Sequence, residues 1–224
     1  MGALFWIIII LVLALLFYNK FILDPPNVRA AYAGKTQEQK EVIRYFLVDG
    51  CLRKKMSDAE YDAYVKGSFT NHKERGMEKI GIDEDQVKEI DPVHFEGYAF
   101  DKDAYAKKGE DGIWRSSKYQ WSWLFFSDNQ VYLYQRTKSF DEKKDRESTE
   151  EYFYKDITNF STVSESRESK VEGKNGTFSL MPVDTTQFKL VVPGDSFFCS
   201  MDQSNFEDTI QGMKAKLREK KQQQ

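Results

Sequence analysis

The chain has 224 residues, of which 36 are acidic and 33 are Lys or Arg, so its formal net charge is -3. This balance argues against nucleic acid as the main partner, because nucleic-acid-binding domains concentrate positive charge. Cys51 and Cys199 are the only cysteines, too few for a disulfide framework, and an aromatic content of 15% favours a β-rich body.

The first predicted element is an apolar run over residues 3–18 that contains no charged side chain. A membrane-spanning helix needs about 18 such residues, and Trp6 and Tyr18 suit the two interfaces of a bilayer. A basic n-region and a small-residue cleavage site are both missing, which argues against a cleavable signal peptide. The sequence therefore predicts a transmembrane anchor over residues 1–23, with the lipid bilayer as its partner through residues 3–23.

Positive charge follows this run and is missing before it, and cationic segments resist translocation. The first cations after the run are Lys20, Arg29, Lys35, Lys40 and Arg44. We therefore expect a single-pass protein of the cell membrane whose C-terminal body lies in the cytoplasm.

Two segments follow the anchor. Prolines 25 and 26 end the first helix, so residues 24–35 are interpreted as a linker. Residues 36–92 are predicted to form a small helical subdomain, because helix-capping pairs recur there. These pairs are Thr36 with Gln39, Ser57 with Glu60, Asn71 with Glu74, and Asp83 with Gln86.

From residue 93 the hydrophobic period changes to two, which is typical of β-strands. Strand candidates occur at residues 94–100, 119–125, 131–134, 151–154, 157–164, 177–181, 188–192 and 196–201. A long polar loop separates the first two candidates. A C-terminal helix follows, with a capping box at Ser204 and Glu207 and an apolar stripe over Phe206, Ile210, Met213 and Leu217.

About seven short antiparallel strands followed by an amphipathic helix resemble the order of a pleckstrin-homology-like domain. The segment Tyr152-Phe153-Tyr154-Lys155-Asp156-Ile157-Thr158 is similar to a strand-turn-strand step of bacterial and GRAM-type members. The whole chain also resembles single-pass membrane proteins of Gram-positive bacteria, a resemblance that implies no activity. The expected fold is α+β: an N-terminal transmembrane helix, a helical layer, and an antiparallel PH-like barrel or sandwich with a C-terminal helix over residues 93–224.

Residues for catalysis are not apparent in the sequence. His72 and His94 are the only histidines, and neither has a partner at ligand spacing. Asp101 and Asp103 begin like a calcium loop, but Tyr105 stands where the third oxygen ligand belongs. We therefore expect no catalytic, cofactor-binding or metal-binding residues, no cofactor, and no enzymatic activity.

Basic residues near both ends of the chain are candidates for contact with an anionic membrane surface, where each cation adds about 1 kcal/mol. They are Lys20, Lys214, Lys216, Arg218, Lys220 and Lys221.

These observations predict a non-catalytic binding or scaffolding module that engages a protein or peptide partner at the membrane. The alternative is an extracytoplasmic structural domain tethered by an uncleaved signal anchor. Two glycosylation sequons would fit that alternative in a eukaryotic secretory setting: Asn159-Phe160-Ser161 and Asn175-Gly176-Thr177.

Overall fold

The computed structural model describes residues 2–48, 53–87, 90–173, 177–201 and 207–222. They form an α+β fold with these elements: α1 Gly2–Phe17, α2 Pro26–Ala31, α3 Gln37–Leu47, α4 Asp58–Gly67, α5 His72–Ile80, β1 Ile90–Tyr98, β2 Tyr105–Lys108, β3 Trp114–Ser116, β4 Lys118–Phe126, β5 Gln130–Ser139, β6 Asp145–Phe153, β7 Asn159–Glu172, β8 Phe178–Val192, β9 Asp195–Ser200 and α6 Glu207–Gln222.

The N-terminal run forms α1, which has 16 residues and continues as a π-helical turn, Tyr18–Ile22. An α-helix of this length covers about 24 Å, less than the ~30 Å hydrocarbon core of a bilayer. No helix among the described residues is both long and apolar enough to cross a membrane. The prediction of a transmembrane, single-pass anchor is therefore wrong.

The segment interpreted as a linker is docked on the body. It contains α2, whose Val28 is fully buried. The carboxylate of Asp24 accepts hydrogen bonds from the Tyr32 hydroxyl at 2.6 Å and from Arg44 Nε on α3 at 3.1 Å. These contacts fix the base of α1 against the helical layer.

Two helices of the helical layer begin with the capping boxes that the sequence predicts. Capping boxes are present at Thr36, before α3, and at Ser57, before α4. Asn71 makes no side-chain cap before α5, so that predicted cap is wrong. The capping box predicted at Ser204 lies outside the described residues.

The described strands form two sheets. The first has the order β1-β4-β5-β6 and is antiparallel throughout, while the second has the order β3-β2-β7-β8-β9. In the second sheet β2 pairs parallel with β7, so this sheet is mixed and the expectation of an all-antiparallel domain is corrected. Strands β2 and β3 lie within the segment predicted to be a polar loop.

Strand β4 separates two cores because its side chains alternate. Tyr119, Trp121 and Phe125 face the helical layer and are fully buried. Leu124 and Phe126 face the second sheet, in a core that also includes α6. The side of the first sheet that faces the second sheet is called the inner face below.

Candidate binding cleft

A cleft of about 800 Å³ lies between the inner face of the first sheet and the edge of the second sheet. Its floor is formed by β4, β5 and β6 through Lys118, Gln120, Gln135, Thr137, Ser139, Arg146, Ser148, Glu150 and Tyr152. Its opposite wall is formed by Arg167 on β7, Gln187 on β8, and residues 195–198 and 200 on β9.

The polar floor results from strand register. Inner-face residues that lie opposite one another on β4, β5 and β6 form rows across the sheet. In one row, Phe126 and Val131 belong to the apolar core and Tyr152 packs against it. Two rows further along the sheet, the inner face changes to polar side chains. These rows are Ser122 with Gln135 and Ser148, then Gln120 with Thr137 and Arg146. One continuous sheet therefore supplies an apolar core at one end and a hydrogen-bonding floor at the other.

Two glutamines fix the β9 wall over this floor. The backbone N–H of Ser200 donates to Gln120 Oε1 at 2.7 Å, and Gln135 Nε2 donates to the Phe198 carbonyl at 2.7 Å. β9 pairs only with β8 among the described strands, so these side chains satisfy backbone groups on its other edge.

The two ends of the cleft differ. At one end the Tyr152 hydroxyl donates to Asp195 at 3.2 Å and joins the two sheets. At the other end Lys118, whose side chain is only 10% exposed, pairs with Asp101 at 2.7 Å. Burial alone would raise the pKa of Asp101, but the Lys118 ammonium and two backbone N–H groups outweigh it and lower the pKa.

The described lining holds amide, hydroxyl and charged groups, and it includes neither histidine nor cysteine. Cys199 is a residue of β9 whose side chain lies in the apolar core, where burial raises the pKa of its thiol to about 12. A thiol that remains protonated is a poor nucleophile. The lining is therefore equipped to form hydrogen bonds and ion pairs, which is the chemistry of recognition.

No family model matches this chain. No curated protein and no solved structure matches it either. The resemblance to pleckstrin-homology-like domains therefore stays a prediction, and function has to be argued from the geometry of the chain itself.

A cluster of possible metal ligands lies outside the cleft, where α5 meets β1. One ligand atom each of His72, His94 and Glu96 lies within 4.8 Å of the others. The two imidazole rings are stacked, with centroids 4.6 Å apart and an angle of 14° between their planes. A ring nitrogen binds a metal in its own plane, so two nearly parallel stacked rings do not point at one ion.

Trp123 completes this cluster. Its indole Nε1 donates a hydrogen bond to His72 Nδ1 at 2.7 Å, and this bond occupies the lone pair of that nitrogen in the neutral imidazole. The indole ring also stacks on His94. The arrangement fits a packed aromatic cluster between helix and sheet better than a metal centre.

This cluster makes stability depend on pH. Burial, and then the nearby His72, lower the pKa of His94 to about 4, whereas an unfolded histidine has a pKa of about 6.5. The unfolded chain therefore binds a proton more readily, and the stabilisation that is present above pH 6.5 is lost as the pH falls towards 4.

Between pH 7 and pH 4, preferential protonation of His94 in the unfolded chain should lower the free energy of unfolding by about 1 to 3 kcal/mol. The check is urea unfolding of the native chain and of His94→Phe, which keeps a stacked ring without the titration. Equal losses of stability in both proteins would refute the assignment.

Among the predicted membrane-surface residues, Lys214, Arg218 and Lys220 lie apart from the described cleft lining. Arg218 on α6 is exposed, whereas Lys214 and Lys220 are half-buried, because α6 packs Ile210 and Met213 into the core. The side chains of Lys20, Lys216 and Lys221 lie outside the described parts of the chain. Contact of these residues with a membrane stays a prediction.

Proposed function

We propose that this protein is a non-catalytic module that binds a protein or peptide partner beside a lipid bilayer. The observation that supports this function most is the cleft between the sheets. Its volume lies within the ~300–1,000 Å³ range of ligand sites, and its lining offers hydrogen-bond donors and acceptors.

The apolar surface of α1 supports the lipid part of the proposal. The helix carries no charged residue, and side chains all around it are exposed, with Trp6 and Leu11 both 63% exposed. Soluble monomers rarely expose so much contiguous apolar surface, and lipid hydrocarbon is the environment that stabilises it. We place the body at the cytoplasmic face, because the anionic lipids of that leaflet attract the cations that follow α1.

The docked base of α1 would keep the cleft close to that surface. Arg53 Nε donates to the Leu23 carbonyl at 3.1 Å, and Arg44 pairs with Asp24 at 3.0 Å. A body held near the membrane meets membrane-associated partners at high effective concentration, so modest affinity suffices.

Blocking the cleft tests the binding function. Ser148 is half-buried on the cleft floor, so Ser148→Trp places a large ring there, whereas the exposed Thr149 is its neighbour on the opposite face of β6. We expect a peptide library selected on the full chain in neutral detergent to enrich binders that Ser148→Trp loses and Thr149→Trp retains.

Circular dichroism and unfolding midpoints of both variants confirm that they are folded. Failure of the native chain to enrich any peptide over empty micelles would contradict the proposed function. Equal binding by both variants would place the partner site elsewhere.

A further inference from the structure

We infer that the cleft takes an extended peptide segment that carries one acidic and one basic side chain about four residues apart. This inference rests on the proposed function and adds the chemistry of the partner. It is drawn from the length of the cleft, from its unpaired charges and from one buried hydroxyl.

The length of the floor suits an extended chain. Arg146, Ser148, Glu150 and Tyr152 follow one another along the same face of β6 and all line the cleft. Six residue-to-residue steps lead from Arg146 to Tyr152, and at about 3.3 Å per step they cover about 20 Å. A groove of this length along a strand fits several residues of extended peptide better than a compact small molecule.

The charges that line the cleft are not all neutralised within the described residues. Lys118 pairs with Asp101, Lys144 with Glu142, and Arg167 with Glu165. In contrast, the side chains of Arg146, near the Lys118 end, and of Glu150, further along the floor, have neither an ion pair nor a hydrogen bond within the described residues. An Arg guanidinium binds a carboxylate through two parallel hydrogen bonds, and Glu150 suits a Lys or Arg.

The spacing of these two charges sets the spacing in the ligand. Glu150 lies four positions after Arg146 on β6, which corresponds to about 13 Å along a strand. An extended peptide has the same rise, so complementary charges belong about four residues apart. A purely anionic ligand, such as a phosphate or a lipid headgroup, would leave Glu150 facing it unpaired, which disfavours that class.

A buried hydroxyl on the β9 wall is an independent sign of a hydrogen-bonding ligand. Ser200 is 1% exposed and lines the cleft, yet its Oγ has no hydrogen-bond partner among the described residues. Buried polar atoms are normally paired. A peptide backbone in the cleft offers both an N–H and a carbonyl to this hydroxyl.

The test uses fluorescence anisotropy of the full chain in neutral detergent with three labelled peptides. Their cores are Asp-Ser-Thr-Ser-Lys, the reversed Lys-Ser-Thr-Ser-Asp, and an uncharged Ser-Ser-Thr-Ser-Ser. One of the two charged orders should bind about fivefold more tightly than the neutral peptide, which corresponds to two exposed ion pairs of about 0.5 kcal/mol each. Chain direction in the cleft decides which order it is.

A charge swap provides the decisive variant. Arg146→Glu combined with Glu150→Lys should reverse the preference between the two charged orders. The matched control combines Arg29→Glu with Glu151→Lys, which makes the same changes outside the cleft, since Glu151 is exposed on the other side of β6. The control should keep the native preference.

Three results would overturn the inference: equal affinity for all three peptides, reversal by the control, or binding of inorganic phosphate without binding of any peptide. If all three peptides bound with equal affinity and Ser148→Trp abolished that binding, the proposed function would stand. Only the inferred pair of charged side chains in the peptide would be refuted. Absence of binding by every peptide, including library members, would remove both.

Discussion

Replacing Arg115 with methionine should lower the free energy of unfolding by about 2 to 4 kcal/mol. Arg115 lies on β3, and its side chain is only 3% exposed. Its Nη2 lies 2.7 Å from Asp62 on α4 and 2.7 Å from Asp111 in the β2–β3 turn. One guanidinium thus joins the helical layer to the second sheet.

Loss of this group would remove the cation that pairs with the carboxylates of Asp62 and Asp111. Asp62 also accepts a hydrogen bond from the Tyr98 hydroxyl at 2.6 Å, and the hydrogen bonds from Arg115 and Tyr98 lower its pKa despite partial burial, which alone would raise it. Removal of one partner from a buried ion pair generally costs about 3 to 5 kcal/mol. Our value is lower because Asp62 and Asp111 reach solvent.

The matched control is Lys102→Met, which breaks an ion pair with Glu168 whose two side chains are 73% and 52% exposed. Exposed pairs contribute about 0 to 1 kcal/mol, so this variant should unfold almost like the native chain. The measurement is urea unfolding at neutral pH. Equal effects of the two substitutions would contradict the assigned role of Arg115.

Substituting Leu11 and Leu15 of α1 with lysine should abolish flotation of the full chain with phosphatidylcholine vesicles. Both side chains are exposed on a helix without charge. A lysine within lipid hydrocarbon costs about 2.5 to 3.5 kcal/mol, so two of them outweigh most of the favourable transfer of the remaining apolar residues. The vesicles contain only neutral lipid so that the introduced lysines are not attracted to anionic headgroups.

The control places the same changes on β8, where Leu180 and Met181 are 48% and 43% exposed. Leu180→Lys with Met181→Lys should leave flotation unchanged, because the proposal assigns lipid contact to α1. Undiminished flotation of the α1 variant, or equal loss in the control, would show that α1 does not carry the attachment.

Local chemistry in the sequence was sufficient for part of the fold. The helix starts at Thr36 and Ser57 depend on side chains three residues away, and both capping boxes are present. The alternation of Tyr119, Trp121, Trp123 and Phe125 likewise predicts a shared aromatic face of β4, on which all but the half-buried Trp123 are fully buried. These features involve neighbouring residues, so short sequence patterns determine them.

Strand β8 is one long strand, whereas the sequence pattern predicts two short strands in its place, at 177–181 and 188–192. Its Pro182 does not interrupt pairing with β7. The Thr186 carbonyl accepts from Met201 N, so the backbone groups of the even-numbered residues point away from β7. The backbone nitrogen of Pro182 therefore faces the side of β8 that has no described strand partner at this position. Strands tolerate proline there because no ladder hydrogen bond is lost.

The cleft was not predicted, because it depends on contacts between distant parts of the chain. Gln120 meets the backbone of Ser200, 80 residues later. Alternation in β4 and β5 indicates a polar face but not the wall that covers it. The available signal was the change of the inner face from Leu124 to Gln120 on β4 and from Leu133 to Thr137 on β5.

Hydrogen exchange of the full chain, with and without a peptide selected on it, is the most direct test of a binding site in the cleft. We expect new protection in β5, β6 and β9, three of the strands that line the cleft, and none in α3, α4 or α5. Protection confined to the helical layer, or unchanged exchange at saturating peptide, would contradict a binding site between the two sheets.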